Sequence, residues 1–131
     1  MRLVAAVALA SPFISTAPAV AATAKSGEAE LASAIGNRQP GKPVDCISPQ
    51  DQTSVQVIDG TAIVYGYGTR LYVNRLLDGA RTLRRDDVLV THIYGGQLCR
   101  LDTVTLLDQP SRLPHGFVTL GSFVPYSRPH R

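Results

Sequence analysis

Beyond Ser54 the chain is a succession of short apolar runs that are rich in β-branched residues and separated by turn-forming residues. Runs of this kind are typical of β-strands, and an Asp-Gly pair between two of them is a strong hairpin signal. Hairpin turns are therefore predicted at Asp59-Gly60 and at Gly95-Gly96. Since no intervening segment is long and periodic enough for a crossover helix, the strands should be antiparallel. The predicted strands are 55–58, 62–65, 70–74, 88–94, 97–100, 103–107 and 117–124.

These strands predict a mainly β fold, a small antiparallel barrel or sandwich with a short N-terminal helix. The β-domain is expected to cover 44–126, with the helix and a Pro- and Gly-containing linker before it at 25–43 and a flexible tail after it at 127–131. The residues predicted to fill the core are Val57, Ile63, Val73, Val90 and Leu106.

The helix is expected at 25–37, with Ser26 capping its start and Gly36 ending it. Its apolar residues form one narrow face, which predicts contact with another element along that face only. They are Leu31, Ala34 and Ile35.

The first 24 residues have the pattern of a secretory signal peptide. A positive Met1-Arg2 start precedes an apolar run at 3–10, and two A-x-A sites follow at 19–21 and 22–24. The run is shorter than the roughly 20 residues that span a bilayer. We therefore predict that 1–24 contains a signal peptide cleaved at one of these two sites, a periplasmic or secreted protein, and no transmembrane segment in the mature chain.

The predicted export indicates the redox state of the two cysteines, Cys46 and Cys99. An oxidising compartment favours their pairing, and two cysteines allow a single bridge. Neither lies in a C-x-x-C pair, so a zinc or thioredoxin-type redox site has no support. The alternative is a reactive free thiol.

Charge indicates little about partners, since 13 Lys+Arg face 10 Asp+Glu in the whole chain. Three arginines lie close together, at Arg81, Arg84 and Arg85, but Asp78, Asp86 and Asp87 surround them. This pattern favours a solvated turn over an anion site. Export argues against a nucleic-acid partner.

Catalytic and metal motifs are absent from the sequence. His92, His115 and His130 have no partner at ligand spacing, and His92 is expected in a strand as a partly buried, hydrogen-bonded residue. Ser122 lies in a predicted strand rather than on a nucleophile elbow. We predict no catalytic residue, no metal and no cofactor; the alternative is a small hydrolase that uses His92 or His115 with an aspartate.

Four short motifs together resemble a family of small exported proteobacterial proteins that is described as a domain of unknown function. The resemblance covers about 44–126 and implies no reaction, cofactor or ligand. Many members carry a second cysteine pair, at the positions of Ala80 and Val118 here, and an acidic residue at the position of Ser122. The motifs are Cys46-Ile47, Leu71-Tyr72-Val73-Asn74-Arg75, Leu98-Cys99-Arg100-Leu101-Asp102 and Leu120-Gly121-Ser122-Phe123-Val124-Pro125-Tyr126.

Within these motifs four residues form a candidate binding site: Tyr72, Asn74, Arg75 and Asp102. Tyr72 and Asn74 should share one face of their strand, opposite Leu71 and Val73. One interpretation is structural, with an Arg75–Asp102 ion pair and Asn74 capping a turn. The other is a polar recognition patch beside the Cys99 strand.

These expectations favour a non-catalytic binding or structural module of the cell envelope, with the small periplasmic hydrolase as the alternative. The partner is unknown from sequence; an envelope protein or a glycan would suit such a module.

Overall fold

The computed structural model describes residues 11–13 and 19–130. One helix precedes ten short strands, and two 3-10 turns lie at Pro49–Gln52 and Ala80–Thr82. The bounds are α1 (Ala19–Ile35), β1 (Gln39–Pro40), β2 (Cys46–Ile47), β3 (Val55–Ile58), β4 (Ala62–Tyr65), β5 (Arg70–Asn74), β6 (Val88–Thr91), β7 (Leu98–Cys99), β8 (Thr103–Leu107), β9 (Pro114–Thr119) and β10 (Phe123–Ser127).

The strands form three antiparallel sheets. The largest has five strands in the order β1-β10-β5-β4-β3, the second has the order β6-β8-β9, and the third pairs β2 with β7. No sheet closes into a barrel over the described residues. The mainly β, antiparallel class is therefore confirmed, and the arrangement is sandwich-like.

The main core lies between the sheets. It contains residues from the five-stranded sheet, such as Ile63 and Phe123, together with Val104 from β8 and Leu98 from β7. Tyr65 and Phe123 pack edge to face there, with ring centroids 5.8 Å apart. Four of the five predicted core residues are buried; Val90 is only half-buried, because β6 is the edge strand of its sheet.

Helix α1 covers the opposite face of the five-stranded sheet. Leu31, which is 1% exposed, packs against Ile58, Val64 and Val73. Both faces of this sheet are thus buried near its middle, and all four residues of β4 are buried. A strand covered on both sides has an unbroken apolar run rather than alternation.

The helix begins earlier than predicted, so Ser26 lies inside it and does not cap its start. Gly36 does end it, with φ +61° and its N–H donated to Ala32 O. Left-handed glycine is a common helix terminator. Arg38 adds hydrogen bonds to the last carbonyls, at 3.0 Å to Ile35 O.

The predicted signal peptide lies mostly outside the described residues, since 1–10 and 14–18 are not among them. Both predicted cleavage sites, at 19–21 and 22–24, fall in the first turns of α1. Leu31 and the other helix residues with described contacts to the strands come after these sites.

The Asp59-Gly60 hairpin is confirmed. β3 and β4 pair from Val55–Tyr65 to Ile58–Ala62, and Gly60 has φ +59° in the turn. The Gly95-Gly96 turn is also present, with φ +69° and +78° and a bridge from Tyr94 to Gln97.

Beyond the single Tyr94–Gln97 bridge, the strands expected on either side of Gly95-Gly96 pair with other strands, so the hairpin is limited to its turn. β6 ends at Thr91 and pairs with β8, while β7 pairs with β2. The second of these pairs is the one that the Cys46–Cys99 disulfide joins.

The Cys46–Cys99 disulfide is present. The two residues face each other directly across β2 and β7, with Cα atoms 4.0 Å apart. The adjoining pair carries a ladder hydrogen bond, from Arg100 N to Asp45 O at 2.6 Å. The cysteines therefore occupy a non-hydrogen-bonded position, where opposing side chains are closest.

The strand predicted at 117–124 is two strands in different sheets. β9 pairs with β8 and ends at Thr119, whereas β10 pairs with β5 and begins at Phe123. The chain crosses between sheets at 120–122, where a Cβ on Gly121 would overlap Arg75 O. A glycine is required at this close approach.

The C-terminal segment is more ordered than predicted. β10 includes Ser127, and Arg128 N donates to Thr69 O at 3.1 Å. The linker residues Gln39–Pro40 also form a strand, β1, which pairs with this end of β10.

Candidate functional site

Asn74 is fully buried, and its side chain binds the segment that connects two of the sheets. Its Nδ2 donates to Gly121 O at 2.8 Å, and its Oδ1 accepts from Gly121 N at 2.9 Å. The side chain replaces the backbone partner that Gly121 lacks where the chain leaves one sheet for another. Asn74 therefore bonds a distant segment, not the local turn that the sequence predicted.

The predicted Arg75–Asp102 ion pair does not form. Arg75 makes a two-point contact with Glu28 on helix α1, at 2.7 and 2.9 Å. This contact lowers the pKa of Glu28 and raises that of Arg75, chiefly through the side-chain hydrogen bond. Asp102 instead accepts from Cys99 N at 2.7 Å and closes the turn after β7.

Tyr72 does share a face of β5 with Asn74, as predicted. It packs against the main core, whereas Leu71 and Val73 belong to the cluster under the helix. Tyr72 also lines an open groove of about 430 Å³. Of the four candidate site residues, it alone lines this groove.

The floor of this Tyr72 groove consists of two rows of residues that cross β1, β10 and β5. Residues two apart along a strand lie on the same face, so both rows point into the groove. Val44 and the segment 128–130 border it. One row contains Gln39, Ser127 and Arg70, and the other contains Gly41, Pro125 and Tyr72.

The charge on the groove is positive. Arg70 and Arg128 are exposed on its lining, His130 lies beside them, and no acidic residue lines it within the described chain. Neither arginine forms an ion pair among the described residues. Within the described part of the chain, no acidic side chain neutralises either guanidinium.

The sequence identified Tyr72 but missed the groove around it. β1 falls in the predicted linker, and β10 runs from the end of the strand predicted at 117–124 to the first residue of the predicted tail. The alternation of Arg70 with Tyr72 in one strand was the available signal, since it places a cation beside an aromatic ring.

A second polar feature lies at a β-bulge in β9. Gly116 pairs with Leu106 and Pro114 pairs with Leu107, which leaves His115 between them without a cross-strand partner. Bulges redirect side chains in this way and are frequent beside functional sites.

The bulge directs His115 onto Asp87. The His115 Nε2 lies 2.6 Å from Asp87 Oδ1, and the Asp87 side chain is only 3% exposed. The other carboxylate oxygen accepts from Arg84 N at 2.7 Å. Asp108 is a separate acidic residue close to His115 and Arg84, and hydrogen bonds from Ser111 lower the pKa of its carboxyl group. The sequence offered His115 with an aspartate only as an alternative, and Asp87 is that aspartate.

Neither His92 nor His115, the histidines of the alternative hydrolase interpretation, lines a described cleft. His92 is exposed and follows β6, so the expectation of a partly buried strand histidine is wrong. No group of three or more metal-binding side chains occurs among the described residues.

The arginine cluster is a solvated turn, as predicted. Arg81, Arg84 and Arg85 are exposed, and the charge of Arg85 is paired with Glu30 at 2.7 Å. Asp59 lies 3.8 Å from the same guanidinium.

Comparison with protein-family models, with curated proteins and with solved structures gives no match. The resemblance to exported proteins of a domain-of-unknown-function family therefore stays a prediction.

Proposed function

We propose that the protein is an exported, non-catalytic binding module of the cell envelope and that its ligand occupies the Tyr72 groove. The disulfide supports export, because such bonds persist in oxidising compartments. Within the described residues, no helix combines the length and apolarity that crossing a bilayer requires.

The observation that carries this proposal is that the polar residues fall into two sets. One set is hydrogen-bonded within the protein and forms its frame, and the other is exposed on the groove. Asn74, Arg75 and Asp102 are each hydrogen-bonded within the protein. Arg70 and Arg128 are exposed on the groove without an ion-pair partner among the described residues. Concave sites with an apolar floor and a few convergent polar groups are the usual form of ligand sites.

Site-specific photo-crosslinking in an exporting bacterium tests the binding function. A photoreactive residue replaces Gln39 in the groove or, as a control, Tyr67, which is 73% exposed and outside it. We expect a discrete crosslinked product from position 39 and none from position 67. Equal products from both positions, or none from position 39, would contradict the proposal.

Export is tested separately by the intact mass of protein recovered from the exported fraction. We expect a mature chain that begins at Ala22 or Lys25, with two fewer hydrogens than the reduced form because of the disulfide. Recovery of full-length protein from the cytoplasm alone would refute export.

A small hydrolase is the second candidate, and the His115–Asp87 hydrogen bond is the observation that favours it. A carboxylate that orients an imidazole is a common arrangement for acid–base catalysis. No serine, threonine or cysteine side chain is hydrogen-bonded to His115 among the described residues. Hydrolysis of 4-nitrophenyl acetate that is lost in both His115→Ala and Asp87→Asn would support the hydrolase over the binding module.

A further inference from the structure

We infer that the ligand of the Tyr72 groove is an acidic glycan, a sugar chain that carries carboxylate groups. This inference rests on the proposed binding function and adds the chemical class of the ligand. It is carried by the arrangement of the two rows on the groove floor and by the sign of the charge around them.

The first row is apolar. Tyr72 and Pro125 are direct cross-strand partners, and Gly41 continues the row with its N–H donated to Pro125 O at 2.7 Å. A Cβ on Gly41 would lie 3.2 Å from Pro125 Cγ, so a larger residue would crowd the proline ring. With strands about 4.8 Å apart, the row is about 10 Å across. An apolar row of this width suits the apolar face of a sugar ring, and tyrosine combines an apolar face with a polar hydroxyl.

The second row is polar. Gln39 and Arg70 are the cross-strand partners of Ser127 on its two sides. An amide, a hydroxyl and a guanidinium together donate and accept hydrogen bonds, as sugar hydroxyls require. The two rows lie side by side, so one ligand can contact the apolar row with a ring face and the polar row with its edge.

The positive charge of the groove favours an acidic sugar over a neutral one. The guanidinium of Arg70 lies in the polar row, and that of Arg128 lies at the border of the groove. A guanidinium presents a planar fork of donors that matches a carboxylate at two points. Since no acidic residue lines the groove within the described chain, a carboxylate would meet attraction without opposing repulsion.

An acidic peptide fits these features less well. Peptides that bind sheets do so by adding a strand to a free edge through main-chain hydrogen bonds. The outer strand here, β1, has two residues, and one of them, Pro40, has no N–H to donate. The ladders of β10 and β5 are already paired with neighbouring strands. The groove therefore offers side chains, which favour a glycan.

Isothermal titration of the mature, disulfide-bonded protein tests this inference. The probes are an oligogalacturonate, a neutral cello-oligosaccharide of equal length and an oligoglutamate of equal charge. We expect binding of the oligogalacturonate only, weakened at least tenfold by the double change Arg70→Gln and Arg128→Gln and reduced by salt. The control Arg81→Gln, an exposed arginine outside the groove, should bind as the wild type does.

Three results would overturn the inference: equal affinity for the neutral sugar, affinity for oligoglutamate as high as for oligogalacturonate, or an equal loss of affinity in Arg81→Gln. If oligogalacturonate fails to bind while crosslinking from position 39 persists, the ligand class is wrong and the binding function stands. Loss of both results overturns both proposals.

Discussion

Asn74 is the residue on which the junction between the two main sheets depends. A buried amide that pairs both the N–H and the C=O of Gly121 fixes where the chain changes sheets. Removal of this side chain lowers the stability of the fold, because two buried backbone groups lose their hydrogen-bond partner.

Replacing Asn74 with alanine should lower the free energy of unfolding by about 2–4 kcal/mol, since each unsatisfied buried group costs about 1–3 kcal/mol. Asn37→Ala is the matched control, because Asn37 is exposed and should change stability by less than about 0.5 kcal/mol. Urea unfolding of the two variants provides the measurement. Equal stabilities would show that the Gly121 contact contributes nothing.

Gly27 shows a second requirement at the scale of one residue. It lies inside α1, yet a Cβ there would overlap Thr61 Oγ1 and lie 2.9 Å from Asp59 O. The missing side chain lets the helix approach the β3–β4 turn closely.

Alanine at position 27 should destabilise the protein even though alanine favours a helix over glycine by about 1 kcal/mol. The control is Ser26→Ala. Because Ser26 is an exposed helix residue, alanine there should leave the stability of the protein unchanged or raise it slightly. Thermal melting of both variants decides the matter. A higher melting temperature for Gly27→Ala would mean that the helix does not pack as closely as described.

At the scale of elements, the small β2–β7 pair depends on its disulfide. Two residues on each strand provide little pairing energy, and the bond joins segments separated by 53 positions. Closing a loop of this length removes much of the freedom of the unfolded chain.

Reduction, or replacement of Cys46 and Cys99 by alanine, should lower the free energy of unfolding by about 2–4 kcal/mol. Urea unfolding with and without reductant measures this loss. The double alanine variant is the control, because reductant should not affect it. Wild-type protein that is equally stable in both conditions would contradict the structural role of the bond.

The sequence predicted the strands whose bounds depend only on neighbouring residues. The strands at 62–65 and 103–107 have the predicted bounds, because β-branched runs bounded by turns define them. The run at 117–124 could not be divided from sequence, since Gly121 at the break contacts Asn74 at the end of β5 and Arg75 just after it.

The candidate site was predictable only in part for the same reason. Tyr72 and its face of β5 followed from alternation, whereas the groove requires β1 and β10, which meet through pairing of distant segments. The predicted Arg75–Asp102 pair failed because the helix supplies Glu28 as a nearer partner. Charge alone cannot identify which of several acids lies closest.

At the scale of the whole molecule, the layers explain why the groove is open. Helix α1 covers one face of the five-stranded sheet, and the smaller sheets cover the other face near its middle. The ends of β1, β10 and β5 extend beyond this cover, and the Tyr72 groove lies there. The frame and the proposed ligand surface therefore use different residues of the same sheet.

The separation of frame from ligand surface is tested most directly by measuring unfolding and crosslinking in the same two variants. The double change Arg70→Gln and Arg128→Gln should leave the unfolding free energy within about 0.5 kcal/mol of wild type and strongly reduce the yield of the crosslink from position 39, because it weakens ligand binding. Asn74→Ala should be less stable, with a crosslink yield that follows its folded fraction. A double arginine variant that crosslinks at full yield, or a folded Asn74→Ala that no longer crosslinks, would contradict the account.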